Sequence, residues 1–340
     1  MTVTEIARLA GVSIGTVDRV LHDRGRVSEE TRQKIQKIID QSGFQPDPLA
    51  RHLKKHIQYH IGILMPEMES GYGYWQQLYD GIKETAENEL SAFSFTIAPF
   101  FFRRPDRNSL EEQFRKMTAS DCCAYIIAPV MQRETKALLA SPSVLKPYCF
   151  VDSPLPGCNP LSTIAQNPYK AGFFAGRMTE LVSGKTGTYV ALEPFTQAFN
   201  QNERSRGFCA WFEQNHRQSR AFRTVSRDFT KNGIALQVER LLNETPDLAG
   251  ICTTSVEVQF IAEYLQEHNC KKDITVSGFD LVQSNCDGLR NGTIDCLIDQ
   301  EPAEQGRLAM QQLFKKLVYE EEPEKEIEIP LEIFFKENLL

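Results

Sequence analysis

Several signatures of enzyme chemistry are missing from this sequence. It has no Gly-rich phosphate loop, no G-x-S-x-G nucleophile elbow and no H-E-x-x-H metal motif. Its nine cysteines form no C-x-x-C pair, so neither a zinc ribbon nor a dithiol redox centre is legible. Cys122-Cys123 lies in an apolar strand pattern and the other thiols are scattered, which reads as reduced, buried cysteine in a cytosolic protein. No apolar run approaches the ~20 residues that span a bilayer. No signal peptide is expected ahead of the first amphipathic segment. Histidine is scarce, six in all, and the two beyond residue 60, His216 and His268, stand at polar helix ends that suit a surface. These absences point to a protein that is not an enzyme and needs neither metal nor cofactor.

At 340 residues the chain exceeds one ordinary core and suggests two or three domains. Its 41% hydrophobic and 24% charged residues are those of a globular protein. The net charge of −7 hides an asymmetry. Residues 1–60 carry ten Lys/Arg against seven Asp/Glu, and the remainder carries 28 against 38. A basic N-terminal domain suits phosphate contact, and an acidic body limits indiscriminate sticking to polyanions.

Residues 2–53 carry the strongest pattern. Thr2 followed by Glu5 forms a capping-box start, and Ile6, Ala7 and Leu9 give the helix an apolar face. Gly11 supplies a turn, Ser13 caps a second helix, and Val17, Val20 and Leu21 face inward. Two short helices about a Gly-containing turn are the sequence form of a helix-turn-helix. A third helix runs from Ser28 as cap through Ile35, Ile38 and Ile39 to Gly43. Over Thr4-Glu5-Ile6-Ala7-Arg8-Leu9-Ala10-Gly11-Val12-Ser13, Thr16-Val17-Asp18-Arg19-Val20-Leu21 and Arg26-Val27-Ser28-Glu29-Glu30-Thr31-Arg32, the segment resembles the headpiece of the lactose-repressor (LacI/GalR) family of bacterial transcription regulators. The match continues through Pro46 and Ala50-Arg51-His52-Leu53.

The resemblance implies DNA contacts at Thr2, Ser13, Ile14, Gly15, Thr16, Arg19, His22 and Arg26, with residues 1–45 as the headpiece. It also implies a hinge helix within 46–58, in which Leu53 wedges into the minor groove beside Ala50 and Lys54. The residues suit that role, since an apolar wedge flanked by Arg51, Lys54 and Lys55 can unstack a base step and hold nearby phosphates. A solvated basic linker is the alternative. The headpiece departs from its family at Ile14 and Gly15, where base-reading side chains are usual. Asp18 stands where serine is common, and His22 where asparagine is. Glycine makes no side-chain base contact, so direct reading there falls to Thr16 and Arg19. An intramolecular pairing of Asp18 that orients a basic side chain accounts best for its carboxylate.

From Tyr59 onward, short apolar runs alternate with helical patterns, as in a parallel sheet covered on both faces. Strands are expected at 60–66, 93–100, 123–130 and 148–152, and a second series at 187–192, 221–225, 248–253 and 274–280. Gln166-Asn167-Pro168 with Gly172 and Gln300-Glu301-Pro302 with Gly306 form an internal echo, each before a helix. This body resembles the periplasmic-binding-protein type I fold, in which such junctions carry the chain between two α/β lobes. The expectation is lobe 1 at about 59–161 and 292–322 and lobe 2 at about 162–291 and 323–340. The acidic run Glu320 to Glu328 reads as a solvated loop before one last strand, Ile329 to Phe335.

Carboxyl ends of parallel strands in facing lobes form a ligand cleft. Candidates there are Tyr72, Tyr74 and Trp75 after the first strand, Asp152 after the fourth, and Thr254 and Asp280 after later ones. The resemblance adds Arg204, as the effector-pocket arginine, and Gln300. Carboxylates, a guanidinium and aromatic rings suit a polyhydroxylated ligand through paired hydrogen bonds and stacking. Alternatives stay open: an Arg204–Asp280 ion pair, Trp75 as core, Tyr72 and Tyr74 as merely exposed, Gln300 as a helix cap. The expected function is a cytoplasmic, dimeric, DNA-binding transcription regulator of near-palindromic operators, controlled by a small effector, a sugar or sugar derivative. Nucleobases, amino sugars and sugar phosphates also remain open, as does the sign of control. No separate heptad segment precedes Leu340, which favours a dimer over a tetramer. A cytosolic solute-binding module without regulatory DNA contact is the alternative.

Overall fold

The computed structural model describes residues 1–21, 23–44, 57–68, 73–140, 146–194, 199–215, 218–226, 228 and 230–339. They fall into two compact units, Met1–Ile57 and Gln58–Leu340. Among the described residues no helix is long and apolar enough to cross a membrane, and no cluster of His, Cys, Asp or Glu is suited to a metal ion.

Among the described residues the first unit has three helices, α1 (Val3–Ala10), α2 (Ile14–Leu21) and α3 (Glu29–Ser42). Both halves of the Thr2/Glu5 capping box form, and Gly11 ends α1 in the left-handed region at φ 70°. Ser28 caps α3 and Gly43 closes it. Ile6, Ala7, Ala10, Val17, Val20 and Ile35 make the core, with Val12, Leu21, Ile38 and Ile39 packed around it. Eight-residue helices are marginal alone, so this shared core is what holds them.

Among the described residues the second unit contains two six-stranded sheets. The first comprises β1 (Tyr59–Pro66), β2 (Phe95–Phe102), β3 (Ala124–Ile127), β4 (Tyr148–Val151), β5 (Ser162–Ala165) and β11 (Glu326–Glu328), in the order β11-β5-β4-β3-β1-β2. The second comprises β6 (Thr188–Glu193), β7 (Arg220–Val225), β8 (Leu248–Thr253), β9 (Thr275–Phe279), β10 (Cys296–Asp299) and β12 (Glu332–Phe334), ordered β12-β10-β9-β8-β6-β7. All neighbours are parallel except β12, which runs antiparallel to β10. The two orders are the same pattern repeated, so β1 to β5 correspond to β6 to β10 and β11 to β12. Helices cover the sheets: α4 (Tyr74–Glu84), α5 (Arg107–Ala119), α6 (Gln132–Leu139), α7 (Pro168–Ser183), α8 (Phe199–Asn215), α9 (Lys231–Glu244), α10 (Val258–Glu267), α11 (Gln283–Asn291) and α12 (Pro302–Phe314).

The chain changes lobes after β5, after β10 and between β11 and β12. Helix α7 follows β5 yet packs on α8, and α12 follows β10 yet packs on α4. Both pairs cross at glycines because the backbones touch. A Cβ on Gly172 would lie 1.9 Å from the Arg204 carbonyl oxygen, and one on Gly81 2.0 Å from that of Ala303. Gln166 fastens the crossings, its Nε2 donating to the Asp299 carbonyl at 2.9 Å and the Pro330 carbonyl at 3.0 Å.

The expected lobe boundaries need correcting at three places. Ser162–Ala165 pairs with β4, so the first lobe runs past 161. Cys296–Asp299 pairs with β9 and belongs to the second lobe, with the return at Gln300 rather than 292. The expected acidic loop and single final strand resolve into two short strands in different sheets. Glu326 and Glu328 point to solvent while Ile327 turns inward, and pairing with β5 satisfies the backbone. Lys170 Nζ meets Glu328 Oε1 at 2.9 Å, which offsets part of the acidic charge.

Candidate functional site

In the headpiece, the face of α2 away from the core presents Ile14, Gly15, Asp18 and Arg19 to solvent, with Thr16 half-buried. Ile14 is 52% exposed, although the residue type favours burial. Ser13 Oγ accepts from the Thr16 N–H at 3.2 Å and lies 2.9 Å from Thr16 Oγ1, fixing the first turn. Thr2 and Arg26 are exposed. The second helix thus offers an uncovered N-terminal face, which is what groove entry demands. His22, Ala50, Leu53 and Lys54, with the expected hinge helix, lie outside the described residues.

In the second unit a cavity lies between the C-terminal ends of the two sheets. Tyr74, Trp75 and Asp152 line it from the first lobe, with Gly73, Arg104 and Val130. Arg204, Asp280 and Gln300 line it opposite, with Asn200, Gln201, Ser255 and Val256. The cavity's free volume is about 50 Å³, room for a few waters in this arrangement of the lobes, so a larger ligand requires the lobes to part.

The polar groups form two runs. The Arg204 side chain donates to the Thr254 carbonyl at 2.9 Å and to Gln300 Oε1. Gln300 Nε2 donates to Asp280 Oδ1 at 2.5 Å. The guanidinium stacks over the Phe279 ring at 4.1 Å, and its Nε is buried with no hydrogen-bond partner among the described residues. Across the cavity Asn200 Nδ2 donates to Asp152 at 3.3 and 3.4 Å, joining the lobes. Gln77 of α4 makes a second bridge, donating to the Leu281 carbonyl at 3.3 Å.

Burial governs the protonation of these groups. It pushes the Asp280 carboxyl up to about 7, against the pull of Arg204 and the Gln300 hydrogen bond. Burial likewise raises Asp152, with Arg204 and Tyr74 opposing. The Tyr74 hydroxyl is held protonated, far above the phenol range, by burial and the neighbouring carboxylates. Trp75 packs edge-on to Tyr74 at 4.9 Å, and Arg104 lies 5.7 Å from its ring centroid.

Tyr74, Trp75, Asp152 and Asp280, expected from their positions after strands, and Arg204 and Gln300, expected from the resemblance, all line this cavity. Trp75 is both core and wall, being buried yet lining the cavity. Arg204 and Asp280 are linked through Gln300, and the cap position of α12 is occupied by Glu301 instead. Thr254 stands behind the wall: its carbonyl receives Arg204 and its Oγ1 donates to the Leu192 carbonyl at 3.4 Å. Ser255 and Val256 form the surface in its place. Tyr72 lies outside the described residues. Arg104, Val130, Ser255 and Val256 were missed, although each follows a strand end and the same rule finds them. Asn200 and Gln201 sit at the start of α8, the counterpart of the α4 positions of Tyr74 and Trp75.

The fold and cavity define a two-lobed ligand-binding body joined to a helix-turn-helix. Residues 61–321 match the family described as periplasmic binding protein domain, and residues 2–47 match bacterial regulatory proteins, lacI family. The chain belongs to the LacI-family transcription regulators, with a DNA-binding headpiece and a periplasmic-binding-protein effector domain. It is 24% identical over 286 residues to the ribose operon repressor of Lactococcus lactis, covering 83% of this chain and 81% of that one. It is 36% identical over 96 residues to the transcriptional regulator RegA of Clostridium saccharobutylicum, a match spanning 28% of this chain and 27% of RegA. A glucose-galactose binding protein from Geobacillus stearothermophilus has the same fold, with a TM-score of 0.74 at 21% identity, over 83% of this chain and 99% of that one.

Proposed function

We propose that this regulator binds near-palindromic operator DNA as a cytoplasmic homodimer and that its interlobe cavity takes a neutral, polyhydroxylated sugar or sugar derivative. The observation that carries the ligand class is a pair of hydrogen-bonded runs facing one cavity, Asn200–Asp152 and Arg204–Gln300–Asp280. Two carboxyls accept from hydroxyls, and a guanidinium with an unused Nε donates to a ring or hydroxyl oxygen. Trp75 and Tyr74 supply an apolar wall for a sugar face. A ribose operon repressor and a glucose-galactose binding protein among its relatives accord with that class.

In the DNA-binding half, Thr16 and Arg19 reach base edges, Thr2, Ser13 and Arg26 hold phosphates, and Ile14 offers an apolar contact to a thymine methyl. His22 and the hinge residues Ala50, Leu53 and Lys54 complete the surface by resemblance. Two headpieces require two half-sites related by the protein two-fold axis. Ligand in the cavity favours one arrangement of the lobes, and that choice shifts the DNA-competent population of the dimer.

The test is thermal melting of the purified protein against monosaccharides, polyols, sugar phosphates and nucleobases. A ligand at about a hundred times its dissociation constant adds ~2.7 kcal/mol of stability. A neutral sugar should raise the melting temperature, and Asp280→Ala and Arg204→Ala should each remove the rise. A response only to phosphorylated sugars or nucleobases overturns the ligand class. A response that survives both substitutions overturns the site.

A further inference from the structure

The cavity residues are held from behind by a side chain that does not line the cavity. Gln305, the fourth residue of α12, is 0% exposed. Its Oε1 accepts the Asp152 N–H at 2.8 Å. Its Nε2 donates to the Gln300 carbonyl at 2.8 Å and to the Tyr74 hydroxyl at 3.2 Å. One amide thus joins residues from three separate strand ends. Its reach depends on the tight seat of α12 on α4, where a Cβ on Gly306 would lie 2.4 Å from the Leu78 carbonyl oxygen.

Comparison of the two halves isolates what this amide does. Asp152 and Asp280 follow equivalent strands, β4 and β9, and both have left-handed backbones, at φ 71° and 73°. An aspartate keeps that conformation where its surroundings hold it. In the second lobe the hold is main chain: the Asp280 N–H donates to the Ile298 carbonyl of β10 at 2.9 Å. In the first lobe the equivalent N–H goes to Gln305. The position matching Gln305 on α7 is Ala171, which has no side-chain acceptor to offer.

We propose that Gln305 is the positioning residue of the effector site. It fixes the first-lobe wall, Tyr74 and Asp152, and ties that wall through Gln300 to Arg204 and Asp280 of the second lobe. The proposal rests on reading the cavity as the effector site. Without the amide, the Asp152 N–H loses its acceptor and the Tyr74 hydroxyl its donor. The Asp152 carboxylate then no longer stands where a ligand hydroxyl meets it, so sugar affinity falls although no residue touching the sugar has changed.

The chain has two tryptophans, Trp75 at the cavity and Trp211, whose indole donates to Glu180 at 3.0 Å. A full-length W211F parent therefore reports Trp75 alone. In that parent, Q305M keeps the side-chain length and removes every hydrogen bond, while Q305E keeps an acceptor for the Asp152 N–H. The measurements are acrylamide quenching of Trp75 and calorimetric titration with D-ribose, D-glucose, D-galactose and D-arabinose. Q305M should raise the quenching constant and weaken the tightest of these sugars by about tenfold, the loss of one or two hydrogen bonds. Q305E should recover part of both effects, which general loss of stability would not allow. A Q305M protein with the parent's quenching overturns the proposal, whether or not any of the four sugars binds. Parent sugar affinity in Q305M, where a sugar does bind, overturns it too. Should Q305M not fold, Q305N decides by the same two readouts, since it keeps the amide and shortens its reach. D152A in the same parent separates the two readings. Unchanged sugar affinity there removes the effector site, while Trp75 quenching in Q305M still decides the positioning role.

Discussion

Asp280 makes the effector domain's stability depend on pH in a direction opposite to most carboxylates. Its ordinary pKa is 3.8, and burial lifts it to about 7 in the folded protein. Between those values the folded state holds a proton that the unfolded state has released. Stability therefore falls as pH rises through that window and levels off above it. About three units at 1.36 kcal/mol each set a ceiling of ~4 kcal/mol for this one group. Asp152, also raised by burial, acts with the same sign. Asp280→Asn removes the titration while an amide oxygen can still accept from Gln300 Nε2. Relative to wild type, this variant should gain stability between pH 5 and pH 8, by ~1–4 kcal/mol, at roughly 2 °C of melting temperature for each kcal/mol in a domain this size. Ligand-free melts in a buffer series of constant ionic strength measure it. Parallel pH profiles for the two proteins would refute the reasoning, because the buried carboxyl would then not be the titrating group.

Other consequences are as specific. Arg204→Met should weaken sugar binding by about 10–100-fold, since a buried charged donor and its hold on Gln300 are both lost; titration calorimetry reads it. Gly172→Ala forces a Cβ against the Arg204 carbonyl and should cost about 1–3 kcal/mol of stability, visible in a melt. Ser28→Ala removes the oxygen that accepts from the Thr31 N–H at 3.3 Å and should cost the headpiece ~1 kcal/mol, with a matching loss of operator affinity when the headpiece is near its melting point.

The headpiece was legible almost residue by residue because local chemistry decides it. Thr2, Ser13, Ser28, Gly11 and Gly43 each meet a capping need that can be read without knowing the rest of the chain. The Gln166 and Gln300 echo marked two of the lobe crossings for a similar reason, since each precedes a proline that opens a helix. The third crossing was not legible. Glu326–Glu328 and Glu332–Phe334 are three-residue strands whose partners lie over thirty residues away in sequence, so no local period announces them. In the cavity, most chemistry-bearing residues after strands were found, Arg104 excepted, while Val130, Ser255 and Val256 were passed over because side chains of ordinary character give no signal of their own. Gln305 was invisible for a different reason. Its role depends on three partners at 5, 153 and 231 residues' separation, which only the packing of α12 against α4 brings within reach.

On the proposed function, a sugar in the cavity controls DNA binding by the headpiece. The most direct test of that control is operator affinity of the full-length protein, by fluorescence anisotropy at fixed salt, with and without the sugar that raises its melting temperature. The expected change is about 5–150-fold in either direction, the usual span of allosteric coupling. At a sugar concentration near the wild-type dissociation constant, the change should be almost lost in Arg204→Met, whose operator affinity without sugar stays that of wild type. A sugar that binds the cavity while leaving operator affinity unchanged would contradict the claim.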